Sequence, residues 1–325
     1  MENLIYKFIS QIEEAIIIAD STKLTASNIN KVFITGMGGS GIAGKFVAEI
    51  MKLHSIIPVL TSNDYDIPGW VDDKTLAIVS SYSGNTEETI ASFEKLITRN
   101  ARIITITSGG TILKKSIEEK IEVMKMPADW GAPRACLAYS IVFQLYILHK
   151  FDVLKLELSK ELSLVIELLL KNRENINMEA KTIATLMGNK IPLIYSDIPF
   201  EPVAIRFRQQ LNENSKILAF NSVFPEMNHN EIAAWVKDVP DFGAVFLRSE
   251  FYSERINRRM IISKEIMIKY TDSIIDINIT GNTILQQYFY AIHLTDWISW
   301  FLAKNRNVDA MDISNIIYLK NQLGR

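Results

Sequence analysis

The chain has one cysteine, Cys136, in 325 residues, and only four histidines, at 54, 149, 229 and 293. A single thiol excludes an intrachain disulfide and any CxxC motif, and it fits a reducing compartment. The histidines are dispersed and no HExxH pair occurs, so no zinc ligand set is legible and no metal is expected. Neither sign of charge dominates: 35 basic against 37 acidic residues leave a formal net charge of −2. That balance gives no general attraction for nucleic acid or an anionic membrane, so an anion must be bound locally. Long apolar runs are missing too. The uncharged run from Ala135 to His149 contains Gln144 and falls short of the roughly 18 apolar residues of a membrane span, so it reads as a buried helix. The N-terminus mixes acidic with apolar residues at helical spacing, unlike a signal peptide. A cytoplasmic location is expected. Neither a Pro/Gly/Ser linker nor a low-complexity segment interrupts the chain.

What is present is ample core material, 48% hydrophobic against 22% charged residues, at a length that suggests two domains. After an N-terminal helix, β-like runs at Lys31–Thr35, Pro58–Thr61, Thr75–Ser80 and Arg102–Thr107 alternate with helix-period stretches at Ile42–Leu53 and Asn85–Arg99. A long helix from Pro133 to Lys150 closes this half. A helix-rich stretch from Leu154 to Leu186 opens the second, followed by strand-like runs at Ile191–Ser196, Lys216–Phe220, Gly243–Arg248 and Ile274–Ile279. This is an α/β pattern, two tandem units each with a mainly parallel sheet flanked by helices. The expected division is 1–152 and 153–325, the boundary lying in the polar stretch Lys150–Lys160, with a site in the cleft between the halves.

Two loops suit phosphate. Gly36-Met-Gly38-Gly39-Ser40-Gly41 follows a strand and opens a helix, where free backbone N–H groups and the positive helix end favour an anion. It also fits G-x-G-x-x-G, but a dinucleotide site should carry an acidic residue about 20 positions on to hold a ribose, and Asn63 and Asp64 stand roughly there. A tight turn without ligand is the plain alternative. The second loop, Ser80-Ser81-Tyr82-Ser83-Gly84-Asn85-Thr86-Glu87-Glu88-Thr89, is dense in hydroxyls. Ser81, Ser83 and Thr86 can donate to phosphate oxygens while the following N–H groups point at them, a neutral cradle for a monoester. An ordinary Ser/Thr helix cap is the alternative there. Two such loops at successive strand ends are harder to explain as caps alone.

These loops, with Trp130-Gly-Ala-Pro133-Arg134-Ala, Arg208-Gln-Gln-Leu-Asn212-Glu213-Asn214-Ser-Lys216, Pro225-Glu-Met-Asn228-His229-Asn230-Glu231 and Tyr318-Leu319-Lys320, resemble the archaeal-type bifunctional phosphoglucose/phosphomannose isomerases. That family has tandem sugar isomerase (SIS) domains. The resemblance covers nearly the whole chain and is most selective in the second half. It implies a cofactor-free interconversion of glucose 6-phosphate, and of mannose 6-phosphate, with fructose 6-phosphate through a cis-enediol intermediate. Gly38, Gly39, Ser40, Ser81, Ser83 and Thr86 would hold the phosphate. Glu213 resembles the family's C1–C2 base, and His229 its ring-opening acid/base, an imidazole in the right titration range. Arg134 resembles the arginine that offsets enediolate charge, and Lys320 the lysine near the ring oxygen. Relatives present this histidine to the neighbouring subunit, which implies a homodimer with His229 contributed across the interface. His54, His149 and His293 lack a flanking motif and read as structural.

Before the terminal Y-L-K the chain carries Ala310-Met-Asp312-Ile-Ser314, where relatives commonly have a Thr/Pro-containing segment, and the resemblance implies that a small hydroxyl residue nearby makes room for both C2 epimers. Acceptance of mannose 6-phosphate therefore turns on this segment. The alternatives are a non-catalytic sugar-phosphate sensor, which leaves Glu213, His229 and Arg134 unexplained as a set, a nicotinamide oxidoreductase, which leaves Ser81–Thr86 unexplained, and an amino-sugar-phosphate isomerase. Glu213→Gln is expected to abolish isomerisation while sugar-phosphate binding persists, since anchoring belongs to the first-half loops. Parallel loss of binding and turnover in a folded variant would contradict that division of labour.

Overall fold

The computed structural model describes residues 1–237, 239 and 241–323. Helices α1 (Glu2–Tyr6) and α2 (Phe8–Ser21) precede β1 (Lys31–Gly36), α3 (Gly38–His54), β2 (Val59–Ser62), β3 (Thr75–Ser80) and α4 (Glu87–Thr98). Then come β4 (Arg102–Thr107), α5 (Gly110–Glu118), β5 (Glu122–Lys125), a 3₁₀ turn at Pro133–Cys136 and α6 (Leu137–Lys150). The rest is α7 (Leu158–Met187), β6 (Ile191–Asp197), α8 (Glu201–Ser215), β7 (Phe220–Phe224), β8 (Phe242–Arg248), α9 (Glu254–Met267), β9 (Ile274–Asn278), α10 (Ile284–Asn305) and α11 (Ser314–Leu323). The chain divides into two compact units, Tyr6–Glu167 and Leu168–Arg325 with Met1–Ile5. They are called here the N-terminal and C-terminal units.

In the N-terminal unit, five parallel strands lie in the order β2-β1-β3-β4-β5. All of β3 is buried, as is β1 after Lys31, the expected state of central parallel strands covered on both faces, and the reason they read as unbroken apolar runs. Phe33, Val79, Phe93, Leu96 and Ile112 form one core cluster under α4 and α5. Because β2 and β3 lie on opposite sides of β1, the strand order reverses between β1 and β3. Ligands of open α/β sheets bind outside the carboxyl ends at such a point. Gly36 and Ser80 are register partners there, so the glycine turn and the hydroxyl loop leave the sheet side by side. The glycine turn is shorter than the sequence suggests, with α3 already begun at Gly38. The short edge strand β5 and the helix α5 were not legible in the sequence.

In the C-terminal unit, four parallel strands lie in the order β7-β6-β8-β9. β7 starts at Phe220, four residues beyond the expected start at Lys216. The reason is local: Lys216 ends α8 in the left-handed region, φ +56°, and a residue so placed cannot begin a strand. Tyr195, Phe224 and Phe246 pack on the sheet, with 5.2 Å between the Tyr195 and Phe246 ring centroids. Helices α8 and α10 are joined by a buried polar seam. Arg206 donates to Asp296 through Nε (3.2 Å) and Nη2 (2.9 Å), with both side chains under a tenth exposed. Asn214 Nδ2 donates to Ser299 Oγ (2.9 Å) and Ser215 Oγ to the Ser299 carbonyl (2.6 Å). These bonds fix the rotation and register of α8, the helix that carries Glu213.

Removing one member of a buried ion pair strands the other's charge, at a cost of about 3–5 kcal/mol. Asp296→Ala is therefore expected to lower the urea unfolding free energy by that amount, whereas the double variant Arg206→Met/Asp296→Leu recovers most of it. A loss below about 1 kcal/mol for Asp296→Ala would show that the pair behaves as a solvated one.

Candidate active site

The N-terminal unit gathers seven of the residues singled out in the sequence: Gly38, Gly39, Ser40, Ser81, Ser83, Thr86 and Arg134. The first three open α3. Asn63 Nδ2 donates to the Gly36 carbonyl at 2.5 Å, so the residue standing where a dinucleotide site holds its ribose acid instead pins the glycine turn. A Cβ on Gly39 would lie 3.6 Å from Arg134 Cα, which places the Pro133–Cys136 turn against the start of α3. Arg134 itself is buried.

The hydroxyl loop is braced from below. Ser108 donates to the Tyr82 carbonyl through both N (3.0 Å) and Oγ (2.6 Å). Asn85 Oδ1 accepts from Thr111 N and Oγ1, at 2.9 and 3.0 Å. Gly84, at φ +65°, presses on the Gly109 carbonyl where no side chain fits. Thr86 is the N-cap residue of α4, yet its hydroxyl makes no cap hydrogen bond. It pairs instead with Ser81 Oγ at 2.9 Å, and Ser81 Oγ also accepts from Gly84 N. Ser83 is exposed, its Oγ accepting from Asn85 N at 3.2 Å. A cap hydroxyl turned to a neighbouring hydroxyl leaves the first N–H groups of α4 open to an anion. Tyr82 ties this loop to the arginine turn: its OH accepts from Trp130 N at 3.1 Å, and burial pushes its phenol pKa up. Trp130 in turn packs edge-on against Tyr139 of α6, 5.7 Å between centroids.

The C-terminal unit carries Glu213, His229 and Lys320. Glu213 is half-buried in the last turn of α8. Lys216 Nζ donates to the Glu213 carbonyl (2.5 Å) and to the Asp312 carbonyl (2.7 Å), which fastens the Ala310–Ser314 segment to the end of the helix that bears Glu213. His229 ends a 3₁₀ turn, Glu226–His229, and is exposed. Its neighbours are all held: Asn228 by Ser263 Oγ (3.0 Å) and Arg259 (3.2 Å), Asn230 by Glu226 (2.9 Å), and Glu231 by Tyr195 OH (2.6 Å). The motif thus fixes the backbone around an imidazole that faces outward. Lys320 lies on α11, which buries none of its residues. Glu213, His229 and Lys320 come from three separate elements of this unit: the end of α8, the turn after β7 and α11. Among the described residues no group of three or more His, Cys, Asp or Glu is placed to hold a metal ion, and no helix is long and apolar enough to cross a membrane.

Residues 26–151 match the SIS domain model, and residues 176–323 the model of the bacterial phospho-glucose isomerase C-terminal SIS domain. The chain is 34% identical to the bifunctional phosphoglucose/phosphomannose isomerase of Thermoplasma volcanium, over 96% of this chain and 98% of that one. It is 33% identical to the protein of the same name from Caldicellulosiruptor bescii, over 98% and 97%. The chain belongs to the bifunctional phosphoglucose/phosphomannose isomerase family. Among solved structures, the C-terminal domain of glucosamine-fructose-6-phosphate aminotransferase from Francisella tularensis shares the fold, with a TM-score of 0.75, 16% identity and 95% and 96% of the two chains covered.

In this phosphoglucose/phosphomannose isomerase family member, sequence reading missed the supports rather than the motifs. Asn63, Ser108 and Thr111 hold the candidate loops from positions 26 or 27 residues away, and Lys216 holds the end of α8. Lys216, inside its Asn-Glu-Asn-Ser-Lys run, and Asn85, inside the hydroxyl loop, carried a local signal. The two readings of Thr86 now separate experimentally. Since its hydroxyl bonds Ser81 and caps nothing, Thr86→Val should cost no more than that one bond, about 1 kcal/mol, and raise KM for fructose 6-phosphate about tenfold with kcat little altered. A lowered melting temperature with unchanged KM would restore the cap reading.

Proposed function

We propose that the protein interconverts fructose 6-phosphate with glucose 6-phosphate and mannose 6-phosphate, the phosphate held by the N-terminal unit and the proton transfers made by residues of the C-terminal unit. The observation that carries the anchoring half is the Ser81–Thr86 hydroxyl pair at the uncapped start of α4. It offers donors and open backbone N–H groups to a monoester without a lysine or arginine among them. Gly38, Gly39 and Ser40 add the start of α3, and Ser83 the outer lip.

Chemistry then falls to four residues. Glu213, as carboxylate, removes the proton from C2 of the open-chain aldose and returns it at C1, while a proton moves from the C2 hydroxyl to O1, so the enediol collapses to the ketose with atoms balanced. The half-buried setting at the end of a helix fixed by the α8–α10 seam suits a base that must not wander. Arg134 offsets the negative charge on the enediolate oxygens. His229 and Lys320 serve ring opening, a proton shift between the ring oxygen and the C1 or C2 hydroxyl. The exposed His229 on its clamped turn, and α11 with no buried residue, support a homodimer in which a second copy receives the imidazole. The reading needs no cofactor and no metal, and a cytoplasmic place agrees with the single thiol.

Both C2 epimers are accepted when C2 can be reprotonated from either side of the enediol. We assign control of this to the Ala310–Ser314 segment, which Lys216 ties to the end of α8. Incubation of the purified protein with fructose 6-phosphate in the presence of a chelator, with the two aldose phosphates quantified separately, tests the whole reading. Both products are expected, and Glu213→Gln should give neither. Glucose 6-phosphate alone would assign the narrowed specificity to Ala310–Ser314. Absence of both aldoses from folded protein would overturn the proposal.

A further inference from the structure

The C-terminal unit has a cleft of its own that the isomerase reading does not use. It opens at the carboxyl ends of β8 and β9, has a volume of about 580 Å³, and is lined by Arg248, Ser249, Glu250, Asn257, Asn278 and the loop Ile279–Asn282. In the strand order β7-β6-β8-β9, β8 and β9 hold the places that β3 and β4 hold in the N-terminal unit. The cleft therefore lies at strand ends corresponding to those from which the Ser81–Thr86 loop and its Ser108–Gly110 brace emerge. Its volume falls in the range of small-molecule sites.

We propose that this cleft is a second ligand site, for a small anionic polyol of the sugar-phosphate class. The anion is assigned to Arg248. Its side chain is half-buried at the last position of β8, and among the described residues no carboxylate forms an ion pair with it. Nη1 donates to Met260 Sδ (3.0 Å) and Nη2 to Asn257 Oδ1 (3.1 Å). Those two bonds orient the fork while leaving most of the five donors of a guanidinium for a ligand. Holding a half-buried arginine between a thioether and an amide is poor compensation for its charge, and a phosphate or carboxylate completes it. Around it, Asn278, Thr280 and Asn282 are exposed amides and a hydroxyl, and Glu250 adds an acceptor. That set is suited to sugar hydroxyls rather than to an apolar body.

The walls are already fixed. Ser249 Oγ donates to Gln287 Oε1 (2.6 Å), and Gln287 Nε2 donates to the Gly281 carbonyl (2.9 Å), so one glutamine of α10 joins the loop after β8 to the loop after β9. Ile279 N donates to the Arg248 carbonyl (2.8 Å) and Asn282 N to Gln286 Oε1 (2.7 Å). Gly281, at φ +146°, packs so close to the first turn of α10 that an added Cβ would lie 2.8 Å from Gln286 Cβ. A preformed cleft lowers the ordering cost of binding.

The probe is glucitol 6-phosphate, which has no carbonyl and so cannot be isomerised, titrated calorimetrically into the full chain. Two sites per chain are expected, one of them weakened about tenfold or more in Arg248→Gln, with kcat for fructose 6-phosphate unchanged. Asn282→Ala, on the exposed loop, should weaken the same site by less and guards against a misfolded arginine variant. Unphosphorylated glucitol should bind neither site. Thr86→Val separates this proposal from the phosphate cradle, because it should weaken the other site only. One site in the wild-type chain that Thr86→Val weakens and Arg248→Gln does not would overturn the inference, as would two sites indifferent to Arg248→Gln, or no binding at all. One site lost only in Arg248→Gln would uphold the inference and overturn the cradle instead.

Discussion

Everything proposed for the N-terminal unit depends on how closely two stretches of backbone can approach each other. Gly84 lies against the Gly109 carbonyl and Gly110 against the Ser83 carbonyl, so the loop after β3 is seated on the loop after β4 with no side chain between them. That seat lets Ser108 reach the Tyr82 carbonyl and Thr111 reach Asn85. The hydroxyls of Ser81, Ser83 and Thr86 are then displayed on a rigid arc rather than a mobile one. A side chain at Gly84 would separate the loops and release the arc. The same logic holds at Gly36, where a Cβ would lie 2.6 Å from the Ser80 carbonyl. Both candidate phosphate loops are therefore outgrowths of tight glycine packing at the sheet's switch point.

Much of the fold was legible because the central strands are buried on both faces and so appear as short, β-branched apolar runs. β3 and β4 were readable to the residue, as was the carboxyl end of β8. What escaped was whatever lacked that signature. β5 is a short edge strand, Glu122–Lys125, with only Met124 buried, too short and too charged to show an apolar run. The misplaced start of β7 followed from Ile217 and Leu218, apolar residues that suggested a strand but lie in the irregular link after α8. In the site, the motif residues could be named from the sequence because they are contiguous. Their supports could not, since Asn63 meets Gly36 across 27 positions and Trp130 meets Tyr82 across 48.

The two units share a parallel order of strands but differ in what their strand ends display. The N-terminal unit shows glycine and hydroxyls. The C-terminal unit shows Arg248 and side-chain amides at the corresponding ends, while Glu213 and His229 come from the end of α8 and the turn after β7. Two units with corresponding strand orders give the same kind of rigid platform with freedom to change the loops, which is how one architecture comes to serve different chemistries.

Lys216 shows what such a platform tolerates. A lysine at φ +56° stands where glycine would sit without strain, at a cost on the order of 1 kcal/mol. The local backbone preference and the tertiary need conflict there, and the tertiary need wins, because only a long cationic side chain can reach both the Glu213 and Asp312 carbonyls. An engineer selecting for thermostability would pick glycine at this helix terminus and gain from it. The same choice would uncouple the Ala310–Ser314 segment from α8, so position 216 is one where optimising the helix and preserving the site pull in opposite directions.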